Sequence, residues 1–188
     1  RPGQAPARYP LLLDSVAPGT AQGRWDLLLA TDGSGLELGP DGITRDLSGR
    51  VQAGGFLEAL DAHWRAAHVA ADEPRWPFHG GWALLMDYEL AAQVEPVLDL
   101  PRRDGAVRPA ALALRCPAAV LRDRASGECM VVVEEAHAAL LDVLLADLGA
   151  APGLPALPPW RAPVVEEDEP QRFLDGVGRI LGYLRAGD

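Results

Sequence analysis

Two short segments of this sequence carry side chains able to do more than pack. The first joins Leu11-Leu12-Leu13-Asp14-Ser15 to Arg24-Trp25-Asp26, which begins nine residues after Ser15. An apolar run ends in a carboxylate and a hydroxyl, a glycine-bearing turn follows, and Arg-Trp-Asp sets opposite charges beside an aromatic ring. Such a set can hold a small amphoteric ligand, with carboxylate and hydroxyl for an ammonium and guanidinium for a carboxylate. The same residues also make an ordinary turn closed by its own ion pair. The second segment is Pro77-Phe78-His79-Gly80-Gly81-Trp82, leading to Asp87-Tyr88-Glu89-Leu90. Paired glycines at the start of an apolar strand allow close backbone approach.

Other reactive residue types have plainer readings. Gly33-Ser34-Gly35 imitates a nucleotide loop, but the third glycine position is Leu38 and no strand–helix–strand pattern follows, so it reads as a turn. His63 and His68 lie five apart without the glutamate of an HExxH motif, which places them on a helix surface rather than at a metal. Cys129 sits beside Met130 in a strand and reads as a buried, inert thiol, not as a nucleophile for His137. Glu134-Glu135 reads as charge at a helix N-terminus, not as paired catalytic acids. No catalytic constellation and no metal site emerges from these residues.

The elements that must position the two segments follow from period and punctuation. Apolar runs at 9–14 and 25–30, and the Asp41-Gly42 hairpin signal between Leu36-Glu37-Leu38 and Ile43-Thr44-Arg45, give a meander of short antiparallel strands. Phe56, Leu60, Trp64 and Ala67 recur at helical spacing over 55–69. Further strands cover 80–88, opening with the glycine pair, 109–116, 118–121 and 128–133, the last one valine-rich. Leucines 140, 141, 144, 145 and 148 mark an amphipathic helix over 134–148, closed by Gly149. The reading is an α+β domain over residues 1–150, mainly antiparallel β-sheet with helices packed on one face. A proline-rich, acidic linker covers 151–169, and a helix over 170–188 carries Phe173, Val177, Ile180, Leu181 and Leu184 on one face. That last helix reads as the opening of a second, truncated domain.

Composition removes whole classes of function. The chain of 188 residues holds 27 acids and 17 bases, a net charge of −10, which disfavours nucleic acid and anionic membrane surfaces. Every base is Arg, so Schiff-base chemistry and a phosphate-loop lysine are absent from these residues. Two cysteines outside any CxxC pair do not make a disulfide framework, and no apolar run approaches the ~20 residues of a membrane span. A cytoplasmic, reducing location is expected.

At the two segments singled out above, the sequence resembles the N-terminal region of the chorismate-utilising enzymes, component I of anthranilate synthase and of aminodeoxychorismate (para-aminobenzoate) synthase. LLLDS resembles the family's Leu-Leu-Glu-Ser element, with Asp14 in place of Glu and Ser15 retained. PFHGGW followed by DYELA resembles its Pro-Phe-x-Gly-Gly and Gly-Tyr-Asp/Glu-Leu elements, with Asp87 where Gly is usual. FLDGVGRILGYLRAGD resembles the helix that opens the chorismate-binding domain.

The resemblance implies that the chorismate-binding and Mg²⁺-binding residues, and the lysine of the aminodeoxychorismate branch, lie in the missing chorismate-binding domain after the Ala-Gly-Asp helix. No cofactor is therefore expected in this fragment, and Mg²⁺ only in the full-length enzyme. The fragment is expected to be catalytically inactive, a scaffolding and tryptophan-binding part of a transferase of folate biosynthesis that aminates chorismate to 4-amino-4-deoxychorismate. A glutamine amidotransferase subunit is the implied partner. Carried onto this sequence, the family's tryptophan pocket nominates Leu13, Ser15, Gly23 and Arg24. The short N-terminus before LLLDS favours the aminodeoxychorismate branch. The alternatives are the same domain of anthranilate synthase with tryptophan feedback, and a stand-alone small-molecule sensor.

Overall fold

The computed structural model describes residues 7–14, 17, 19–20, 23–68, 76–95, 97–98, 100, 108–151, 153, 164 and 166–187. Among the described residues, eight strands and three α-helices follow in chain order. They are β1 (Leu11–Leu13), β2 (Trp25–Ala30), β3 (Gly35–Leu38), β4 (Thr44–Asp46), α1 (Phe56–Ala67), β5 (Gly81–Met86), β6 (Ala111–Cys116), β7 (Ala118–Asp123), β8 (Cys129–Val133), α2 (Ala139–Ala150) and α3 (Pro170–Ala186). Single 3₁₀ segments cover Tyr88–Gln93 and Glu135–His137.

The strands form two wholly antiparallel sheets, in the orders β1-β2-β7-β8 and β4-β3-β6-β5. The expected single meander is thereby corrected, since β2 and β3 are consecutive yet lie in different sheets. Thr31 to Ser34 carries the chain across. Gly33 takes φ +87°, and Asp32 accepts from both the backbone N–H and the hydroxyl of Ser34. This is the turn that the Gly33-Ser34-Gly35 reading anticipates. The return crossing is sharper: buried Pro117 alone separates β6 from β7. Proline suits that position because it donates nothing to either ladder.

Side-chain alternation then builds four layers. Leu36, Leu38, Ala111 and Ala113 project from one sheet onto Phe56 and Ala59 of α1. Cys116, Leu114 and Ala83, on the other face of that sheet, meet Leu29, Ala119, Leu121 and Met130 of the second sheet. Ala30, Ala118, Val131 and Val133 face outward from the second sheet onto Leu140 and Leu144 of α2. Each sheet thus carries a helix on one face and presses its other face on its neighbour. The small alanines of β6 and β7 let aliphatic side chains interdigitate without large aromatics.

Local chemistry explains most boundaries. The Asp41-Gly42 hairpin forms as expected, with Gly42 at φ +76° and the Asp41 carboxylate accepting from the Ile43 N–H. The Asp41 carboxyl is held down at about 2 by hydrogen bonds from Arg45 and from that N–H. Glu58 accepts from the Gly55 N–H at the start of α1. The helix expected over 134–148 starts later, at Ala139, because Glu135–His137 forms a 3₁₀ turn first, and it runs past Gly149 to Ala150. Arg8 and Tyr9 both bond Asp147, tying the N-terminal segment to α2. The chain divides into two compact units, 1–152 and 153–188. The second contains α3, which starts with Pro170 at its first turn and ends at Gly187 with φ +88°.

Candidate functional site

Antiparallel pairing gathers the first chemical segment at one end of the β1-β2-β7-β8 sheet. Leu13 lies opposite Leu27, so β1 ends where β2 begins, and Asp14 follows it. Gly23 is buried and leads through Arg24 into β2, its N–H bonded to the carbonyl and hydroxyl oxygens of Thr20. β7 ends beside these residues, with Asp123 in register with Trp25 and Arg122 with Asp26. The pairing places Leu13 opposite Leu27, at the same end of the sheet as Gly23 and Arg24, which precede β2. Leu13 is half-exposed on the edge strand, and Ser15 lies outside the described residues.

Three acids and three arginines interlock here. Arg24 donates through Nε and Nη2 to the Asp123 carboxylate, at 2.6 Å for the shortest contact, and its guanidinium lies 4.9 Å above the Trp25 ring. Arg124 donates from Nε to Asp26 at 2.7 Å and from Nη2 to Asp14, while its own N–H binds the Arg24 carbonyl. Arg122 stands 4.0 Å from Asp26. The Arg24 hydrogen bond is the main reason that the Asp123 carboxyl is held down at about 2, with the Ala125 N–H assisting. Trp25 meets Trp76 edge-on at 6.2 Å, and both pack against the inter-sheet core beside Leu29 and Leu121. The acids and arginines of this cluster thus bond one another across the ends of three strands.

The second segment does something different. Gly80 adopts φ +99° against Glu134, where a Cβ would collide with the carboxylate. Buried Arg115 on β6 donates to both Glu134 oxygens and to the Gly81 carbonyl at 2.8 Å, and lies 5.6 Å from the Trp82 ring. His137 places Nε2 3.2 Å from Asp32 and Nδ1 3.6 Å from Glu134. Glu134 stands at the N-cap of the Glu135–His137 turn, with Glu135 in its first turn, as that expectation has it, and is in addition the partner of a buried arginine. Arg115 was missed because it sits inside the apolar run Ala111–Cys116; the signal available was the lone charge in an otherwise buried strand.

The remaining candidates disperse. His63 bonds Gln52 and meets Trp82 edge-on, while His68 stacks on Trp64 at 4.9 Å. Cys129 is exposed at the start of β8, against the expectation of burial, and His137 lies past the strand's other end. Among the described residues no group of three or more His, Cys, Asp or Glu side chains could hold a metal ion. No helix among them is long and apolar enough to cross a membrane.

No protein-family model matches the sequence, and no curated protein matches it. Among solved structures, the chain is similar to anthranilate synthase component I from Streptococcus pneumoniae, with TM-score 0.54 and 18% identity. The match covers 73% of this chain and 32% of the neighbour's, so the chain spans about a third of that protein's length. At this identity the likeness shows a shared α+β fold.

Proposed function

We propose that this chain is the non-catalytic N-terminal domain of a chorismate-utilising enzyme, and that the charged end of the β1-β2-β7-β8 sheet binds tryptophan. One observation carries the reading: the LLLDS, PFHGGW and DYELA elements, in family order, lie on a fold similar to that of anthranilate synthase component I. The assigned reaction is amination of chorismate to 4-amino-4-deoxychorismate, as in component I of aminodeoxychorismate synthase. Chorismate and Mg²⁺ then belong to a chorismate-binding domain outside this sequence, and ammonia comes from a glutamine amidotransferase subunit. The domain's own work is to hold Leu13, Ser15, Gly23 and Arg24 as a pocket that supports or senses. The solved neighbour favours a second reading, the same domain of anthranilate synthase component I with tryptophan as feedback inhibitor.

Calorimetric titration with L-tryptophan, with and without Ser15→Ala, tests the pocket. Saturable binding weakened in the variant supports it, and no binding to the wild type overturns it. The domain alone is expected to leave chorismate unchanged with ammonia and Mg²⁺; product formation would place catalysis here instead. In the enzyme carrying this domain, 4-amino-4-deoxychorismate as product supports the first reading and anthranilate the second.

A further inference from the structure

We infer that Asp123 and Arg124, adjacent residues where β7 turns toward β8, are the positioning residues of this binding segment: Arg124 pins the LLLDS end and Asp123 fixes the Arg24 guanidinium. The inference rests on the proposed function for its ligand, an aromatic amino acid, but its geometry stands alone. β1 has three residues, lies at a sheet edge, and exposes its leucines. A strand so short, with little buried on either face, specifies its own register weakly. Arg124 supplies what is missing. Its guanidinium spans Asp26 on β2 and Asp14 just past β1, and its N–H binds the Arg24 carbonyl. A planar fork holding two carboxylates on neighbouring strands fixes their separation as a single flexible ammonium cannot.

Asp123 acts on the other half. It is buried, its carboxylate is oriented by the Ala125 N–H, and it takes the Nε and Nη2 edge of Arg24. Arg24 keeps 53% of its side chain exposed and lies over Trp25. Asp123 therefore decides where the guanidinium stands without covering it. Residues about a hundred positions downstream thus set both halves of a segment read only from residues 11–26.

The test combines amide exchange with L-tryptophan titration on Arg124→Ala, Arg124→Lys and Asp123→Asn. Arg124→Ala is expected to lose protection at residues 11–14 while β6 amides hold theirs, and to weaken L-tryptophan about tenfold as both carboxylates it holds come loose. Arg124→Lys falls between, since it can hold one carboxylate. Asp123→Asn weakens the ligand with 11–14 still protected. Unchanged protection at 11–14 in Arg124→Ala overturns the positioning role whether or not the wild type binds tryptophan. Absence of wild-type binding overturns the proposed pocket and leaves the positioning role to the exchange result alone. Wild-type binding with equal affinity in all three variants overturns this inference and spares the pocket.

Discussion

Arg115 and Glu134 form a buried ion pair at the corner where both sheet crossings and the start of β5 meet. Their side chains are 7% and 10% exposed. Arg115 sits one residue before the Cys116-Pro117 corner, its N–H bonded to Ser34 on the other crossing. Glu134 follows β8, its N–H bonded to the Pro117 carbonyl. The guanidinium also takes the Gly81 carbonyl, so one cation closes three chain segments. Such a pair stabilises less by mutual attraction than it costs when broken, because either charge left alone is desolvated without compensation.

Glu134→Gln is accordingly expected to destabilise the domain by about 3–5 kcal/mol, the range for removing one partner of a buried pair. Urea unfolding of wild type and variant measures it. A loss below about 1 kcal/mol, the value of an exposed pair, would mean that water reaches Arg115.

What the sequence made legible followed the reach of each signal. Strands marked by apolar runs between turn residues and a hairpin with Asp-Gly at its tip were readable, because their determinants lie within a few residues. The division of strands between two sheets was not. Nothing in Thr31-Asp32-Gly33-Ser34 distinguishes a hairpin turn from a sheet crossing, and the difference lies in the pairing of β3 with β6. Residues 11–26 draw attention by their own side chains, while Asp123 and Arg124, which pair with Arg24, Asp26 and Asp14, carry no such local signal. Their roles depend on β2–β7 pairing across about a hundred residues. Gly80-Gly81 was recognised as a close approach, yet its partner Glu134 belongs to a distant strand end.

Acid should weaken the domain in a defined window. Asp123 and Asp41 are both held down at about 2 by arginine, and Asp46 and Asp147 are lowered by hydrogen bonds from Ser48 and Tyr9. A carboxyl whose folded value lies below the ordinary ~3.9 adds stability that is complete above that value and disappears as pH falls through the folded one. Stability should therefore fall between about pH 4 and about pH 2. Asp123→Asn is expected to lower the melting temperature at neutral pH and to flatten its decline across that window. A variant curve parallel to the wild type throughout would remove the Arg24 pair from the acid response.

The two faces of α2 should respond unequally to the same truncation. Leu144 is fully buried against Ala30 and Ala118, whereas the next residue, Leu145, is 51% exposed. Leu144→Ala empties a packed position and is expected to cost about 3 kcal/mol. Leu145→Ala removes partly hydrated surface and should cost under about 1 kcal/mol. Equal losses in urea unfolding would mean that Leu145 is also covered in solution.

The two thiols should differ sharply in reactivity. Burial pushes the Cys116 thiol up, so it holds little thiolate at mild pH, and the inter-sheet core closes over it. Cys129 opens β8 and is exposed. A chromophoric disulfide reagent at about pH 8 should release one equivalent quickly, from the exposed thiol, and a second only on unfolding. Cys129→Ser is expected to remove the fast phase, and Cys116→Ser to leave it unchanged. Adding urea should bring the slow thiol into the fast phase at the concentration where the two sheets separate, because that thiol reports the core between them. Fast reaction of both thiols in the native protein would mean that the inter-sheet core opens without global unfolding, and amide exchange at Leu114 and Ala119 would then locate the opening.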